Sequence, residues 1–145
     1  MPIGPPSEPR IRVGVDLVSV PRVEAVLREH SQAEASLFTS REAEYCRRKR
    51  RPFDHFAARL AAKEAVLKAF GTGITRRIRW TDVEVVVEWP SGRPTVQLAG
   101  HAAAFARRHG LQQLDVSLSH TAGMALAQAL TVWSPKPTST GSGAG

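Results

Sequence analysis

Cysteine is almost missing: Cys46 stands alone in 145 residues, which excludes an intrachain disulfide and any Cys-rich zinc site. Aromatic residues make up only 6% of the chain and do not alternate with basic ones, so no stacking platform for single strands is visible. No apolar run approaches the ~18 residues of a membrane span, and the proline-rich start holds no apolar stretch of the secretory kind. These absences predict a soluble, cytoplasmic protein with no membrane partner. Acidic groups are in deficit, with 13 Asp and Glu against 20 Lys and Arg, a net charge of +7. Such a surplus favours an acidic partner and speeds encounter with it. Much of it is concentrated in the run Arg47, Arg48, Lys49, Arg50 and Arg51, which reads as a solvated helix end or as a docking patch.

What is present fits one globular domain, with 42% apolar residues and enough length to bury a core. Residues 1–9 are rich in proline and read as a flexible arm. Residues 134–145 lack apolar groups and read as a disordered tail, which leaves residues 10–133 as the domain. Ile11, Val13, Val15 and Leu17 alternate as in a strand, after which Ser19 and Pro21 stand where a helix cap and first turn belong. Thr39 and Glu42 match a capping box and predict a helix from Ser40 to about Arg50. A longer helix is expected from about Phe53 to Phe70, ended by Gly71. Beyond it the period changes to two. Val83 to Glu88 and Thr95 to Leu98 read as strands around a Pro-Ser-Gly-Arg-Pro turn, and a helix is expected from His101 to His109. Leu114 to Ser119 and Met124 to Val132 read as a closing hairpin. This order points to an α+β architecture with antiparallel strands.

Three places carry chemistry. Asp16 interrupts an apolar strand, where a charge is costly unless paired, metal-bound or turned outward. Glu64 and Lys68 are four apart on the long helix, as are Arg59 and Lys63 on an adjacent face. The Glu64–Lys68 pair is an ordinary salt-bridge spacing or part of a site. Gly71-Thr72-Gly73 follows directly, as a simple helix cap or as a loop whose amides close on an anion. His120 ends a strand as part of Ser117-Leu118-Ser119-His120, and its neighbour Ser119 points to the other face, which argues against a Ser-His hydrolase pair. The remaining histidines, His55 among them, have no ligand spacing and are assigned no site.

Taken together, Val13-Gly14-Val15-Asp16-Leu17-Val18, the run Arg59 to Ile74 with its A-A-K-E-A-x-x-K-A-x-G-T-G pattern, and Val116 to Thr121 resemble the holo-acyl-carrier-protein synthase type of 4′-phosphopantetheinyl transferase. The middle segment is the most specific of the three. The resemblance implies the 4′-phosphopantetheinyl transferase fold, an antiparallel sheet packed with a long central helix. It also implies Mg²⁺-dependent transfer of 4′-phosphopantetheine from coenzyme A to a serine of an acidic acyl carrier protein, in fatty acid or polyketide synthesis. On this resemblance Asp16 and Glu64 are the Mg²⁺ ligands, and Lys68 faces the coenzyme A pyrophosphate. Arg59, Lys63, Ser119 and His120 are further coenzyme contacts, and Gly71, Thr72 and Gly73 pack against the nucleotide. Arg22 matches a carrier-contacting position, with Arg28 a looser candidate. The resemblance further implies a homotrimer with active sites between subunits. The competing reading is a basic nucleic-acid-binding module, which rests on charge alone, since no helix-turn-helix or zinc-finger spacing is present.

Overall fold

The computed structural model describes residues 8–75 and 77–135. The parts of the expected arm and tail at residues 1–7 and 136–145 lie outside these described residues. The chain runs through strand β1 (Arg10–Ser19), helices α1 (Val20–Glu29), α2 (Ala33–Leu37), α3 (Ser40–Arg47) and α4 (Pro52–Phe70), and a 3₁₀ turn at Trp80–Asp82. It continues with strands β2 (Val83–Val87) and β3 (Pro94–Leu98), helix α5 (Gly100–His109), and strands β4 (Leu111–Thr121) and β5 (Met124–Trp133). The α+β expectation holds: β1, β5 and β4 form one antiparallel sheet in that order, and β2 and β3 form a second antiparallel pair. No helix among the described residues is long and apolar enough to cross a membrane.

Helix α4 is the axis of the fold. Pro52 opens it, Asp54 and Lys68 suit the two ends of its dipole, and Gly71 closes it with φ 79°. Its alanines, Ala57, Ala58, Ala61, Ala62, Ala65 and Ala69, are all buried, so neighbours approach from several sides. The tightest approach is to β1. A Cβ built on Gly14 would lie 1.9 Å from the carbonyl oxygen of Ala65, so no side chain fits there. Ala127 and Ala129 of β5 lie fully buried on the same helix-facing side.

This contact decides which side of β1 is the inside. Gly14, Asp16 and Val18 face the helix, whereas Ile11, Val13, Val15 and Leu17 are 55–68% exposed on the other face. The apolar alternation therefore marks a strand, but the apolar side is the open one. Leu126 and Leu130 of β5 extend the same open face.

A buried ion pair ties α3 to α4 and β2. Lys63 is 0% exposed, and its Nζ donates to Glu42 Oε1 at 2.7 Å, to the carbonyl of Val83 at 2.7 Å and to that of Trp80 at 3.0 Å. Glu42 also accepts from the backbone N–H of Thr39, which completes the expected capping box, and from that of Val85. Burial lowers the Lys63 pKa, and Glu42 opposes that shift.

Three features differ from the sequence expectation by more than a residue. Helix α3 stops at Arg47 rather than Arg50. Its carbonyl at Cys46 is taken by Lys49 in a turn, and Pro52 disfavours a helical residue before it. Helix α2, five residues long, carries too little periodicity to be anticipated. Strand β4 begins at Leu111 rather than Leu114, with a bulge between Leu111 and Gln113 that breaks the alternation.

Candidate active site

Asp16 reaches the helix face two residues beyond the Gly14 contact, beside the last turns of α4. Its Oδ1 accepts from Lys68 Nζ at 3.0 Å, and the same ammonium donates to the carbonyl of Val15 at 3.0 Å. The other carboxylate oxygen, Oδ2, is buried and accepts from no N–H, ammonium or hydroxyl group. Glu64 lies one helical turn before Lys68 and against Asp16. Burial, then hydrogen bonding to and repulsion from Asp16, push the Glu64 carboxyl up to about 7, while Lys68 pulls it down. Two carboxyls and one ammonium thus share a half-buried cleft.

The donor set suits a hard cation. Two carboxylates, one with an orphaned buried oxygen, match an ion that draws its remaining ligands from phosphate oxygens and water. Among the described residues no group of three or more His, Cys, Asp or Glu could hold a metal by protein alone. A cation held by Asp16 and Glu64 would take its remaining ligands from water or a bound molecule.

A second cluster forms at the other end of α4. His120 Nδ1 lies 3.8 Å from Asp54 Oδ2, and its ring meets His55 edge-on at 5.5 Å. Arg59 donates to the carbonyl of His55 at 3.5 Å and stacks over Tyr45 at 4.2 Å, with Lys49 over the same ring at 4.6 Å. Arg59 is buried, yet its Nε has no partner. Burial, then the charges of Arg59 and His120, lower the His55 pKa. Sequence reasoning missed His55 and Tyr45. The signal was available for His55, which stands four residues before Arg59 on one helix face.

The structure does not join these two clusters within one chain. Asp16 pairs with Ala127, which pairs with Leu118, so His120 lies two strands across and two residues along from Asp16. Sheet spacings make that roughly 12 Å between Cα atoms. Ser119 points to the open face opposite His120, with Leu126 as its register partner. Lys63 stands apart from both clusters, since all its donors are spent on Glu42 and two carbonyls. At Gly71-Thr72-Gly73 the amides fold back on the helix, those of Gly71 and Thr72 reaching the carbonyl of Leu67 at 3.0 and 3.2 Å. The loop is thus a helix cap and not an amide cradle, although the buried Thr72 hydroxyl oxygen has no partner.

Arg22 is exposed on α1 at the rim of an apolar groove of about 160 Å³ walled by Val18, Val23, Val26, Leu37 and Leu60. Arg28 pairs with Glu24 at 3.1 Å and lies over Phe53. Within the basic run, Arg47 pairs with Glu34, Arg48 with Glu44, and Lys49 lies on Tyr45. The run is thus largely engaged by its own surroundings and does not form a free cationic stripe.

Comparison with known proteins gives one consistent result. The family model "ACPS: 4′-phosphopantetheinyl transferase superfamily" matches residues 12–129. A holo-[acyl-carrier-protein] synthase of Desulforudis audaxviator is 44% identical over 121 residues, which cover 83% of this chain and 91% of that protein. The solved Chronobacterium ammoniagenes ACPS–CoA complex is similar in fold, with a TM-score of 0.76 at 28% identity over 86% of this chain and 98% of that one. The Helicobacter pylori holo-[acyl-carrier-protein] synthase in complex with coenzyme A gives 0.71 at 28% identity, over 82% and 98%.

Proposed function

Because the chain belongs to the 4′-phosphopantetheinyl transferase superfamily, we propose that its Asp16–Glu64–Lys68 cleft moves 4′-phosphopantetheine from coenzyme A to a serine of an apo acyl carrier protein. The observation that carries this reading is the buried, unpartnered Asp16 Oδ2 beside a carboxyl raised to about 7 and an exposed ammonium. Such a cleft is poorly suited to hold itself together and well suited to take up a cation with an anionic substrate.

In the reaction the serine Oγ forms a bond to the phosphorus that bears the pantetheine arm. The bond from that phosphorus to the bridging oxygen breaks, and its electron pair leaves with adenosine 3′,5′-bisphosphate. Lys68 lies against the diphosphate and neutralises charge that grows on the leaving group. Glu64 takes the serine proton, directly or across one water. Asp16 and Glu64 are the residues that would hold Mg²⁺, which when bound offsets negative charge on the diphosphate oxygens.

The second cluster takes the phosphate at the adenosine end, through His120 and Arg59, with Thr72 beside the nucleotide. The family resemblance assigns His120 to a neighbouring subunit. The open apolar face of Ile11, Val13, Val15, Leu17, Leu126 and Leu130 supports a homotrimer with active sites between subunits. Arg22, Arg28 and the apolar groove beside Arg22 suit an acidic carrier protein with an apolar contact at its centre. A cytoplasmic location follows from these substrates.

The test is to incubate the protein with coenzyme A, Mg²⁺ and apo carriers and to weigh the carrier. Gain of one phosphopantetheine mass is expected. No gain with any of several carriers, accompanied by salt-sensitive DNA binding, would favour the nucleic-acid alternative.

A further inference from the structure

Lys68 stands four residues after Glu64 on α4, yet its ion pair reaches another element. Its Nζ donates to Asp16 Oδ1 and to the carbonyl of Val15, both on β1 and both at 3.0 Å. The Lys68 side chain is 56% exposed and that of Asp16 only 11%. A half-exposed ammonium on a flexible four-carbon stem thus sits on a carboxylate that the fold holds in place.

Two groups compete for that carboxylate. The cation that Asp16 and Glu64 would hold and the Lys68 ammonium both take carboxylate oxygen, and on one carboxylate they would lie only a few ångströms apart. Like charges at that separation repel even in water, and more strongly in a half-buried cleft. The charge balance points the same way. With both carboxyls ionised, Asp16, Glu64 and Lys68 together carry one net negative charge, so a divalent ion would turn the cleft positive. A diphosphate diester brings two negative charges and a fresh set of acceptors for Lys68. Rotation about the bonds of the lysine stem is enough to carry the ammonium from Asp16 to a diphosphate oxygen, with the backbone of α4 unmoved.

We propose that Lys68 is a tethered stand-in for the cation: it holds Asp16 until coenzyme A arrives and then moves to the diphosphate, so that tight binding of a divalent ion waits for the nucleotide. The inference rests on the transferase reading above and deepens it by giving Lys68 two positions. No covalent bond changes in the exchange. Its consequence is a coupling between two ligands, and the coupling is reciprocal: the factor by which coenzyme A tightens the ion is the factor by which the ion tightens coenzyme A.

The experiment titrates Mn²⁺ into the full chain by calorimetry, with and without saturating coenzyme A, for the wild type and for Lys68→Met. Binding of Mn²⁺ to coenzyme A alone is subtracted. Without coenzyme, Lys68→Met is expected to bind Mn²⁺ about fivefold more tightly than the wild type, the scale of one half-exposed ion pair. With coenzyme, the two proteins are expected to bind it about equally, so that coenzyme A tightens Mn²⁺ about fivefold less in the variant. Lys68→Gln, which keeps a polar end, is expected to follow Lys68→Met and takes its place should that variant fold poorly. Variants that bind Mn²⁺ no more tightly than the wild type without coenzyme would overturn the inference. So would an equal gain with and without coenzyme, because a lysine that stays in place repels the ion in both cases. Loading of apo carriers by the wild type with Mg²⁺ is weighed alongside. Normal loading with the same Mn²⁺ coupling in wild type and variants means that only this inference falls. No loading of any carrier means that the transferase reading falls and takes the inference with it.

Discussion

Asp16 and Glu64 set two negative groups against each other in a half-buried cleft, and Lys68 offsets only part of the repulsion. The folded-state pKa of Glu64 is raised from 4.5 to about 7. Its contribution to stability is therefore complete below the lower value and is lost as the pH rises through the upper one. Without ligand, the wild type should lose thermal stability between pH 5 and pH 8 by more than Glu64→Gln does. A calorimetric pH series on both proteins checks this, and Glu64→Gln should also lose transfer activity by about 10²-fold or more. Asp16, Glu64 and Lys68 stood out in the sequence as a charge in an apolar strand and an i,i+4 pair before a glycine, but only the family resemblance joined them into one site. Lys63 has the same spacing to Arg59 but sits on a side of α4 that is wholly buried. Sequence spacing names neighbours on a helix. It does not say which side meets solvent when alanines line nearly all of it.

Close packing of two elements sets the site geometry. Gly14→Ala would drive a methyl group into the backbone of α4 at Ala65, and no flexible side chain is there to yield. The expected cost is about 1–3 kcal/mol or more, with loss of activity as Asp16 moves away from Glu64. Chemical denaturation together with the carrier assay measures both effects. Lys63→Met would leave the Glu42 carboxylate buried without its cation, at a cost of about 3–5 kcal/mol, seen as a lowered denaturation midpoint. The sequence made the strand at Ile11–Val18 and the long helix clear through their periods. It could not say which side of β1 was inside, because the helix packs on the face where Gly14 lets its backbone approach. A reader who assigns apolar residues to the core would have turned the strand over.

The whole molecule carries its two polar clusters roughly 12 Å apart, measured between the Cα atoms of Asp16 and His120. Mixing Asp16→Ala with His120→Ala, each inactive alone, should restore measurable transfer after subunit exchange if sites form between copies. No recovery over the summed activities of the separate variants would show that each chain works by itself. On the opposite scale of contact, Arg22→Glu should raise the carrier KM about tenfold and flatten its salt dependence, leaving the KM for coenzyme A unchanged. Initial rates at several ionic strengths decide that outcome. The open apolar face was present in the sequence as Ile11, Val13, Val15 and Leu17, but that it stays uncovered within the chain became visible only when the opposite side was seen to be occupied.

That uncovered face also bears on how the enzyme behaves in a cell that makes little of it. If separate chains must meet before a complete site exists, turnover per chain falls with dilution, and the gene's expression level becomes a threshold control on carrier activation.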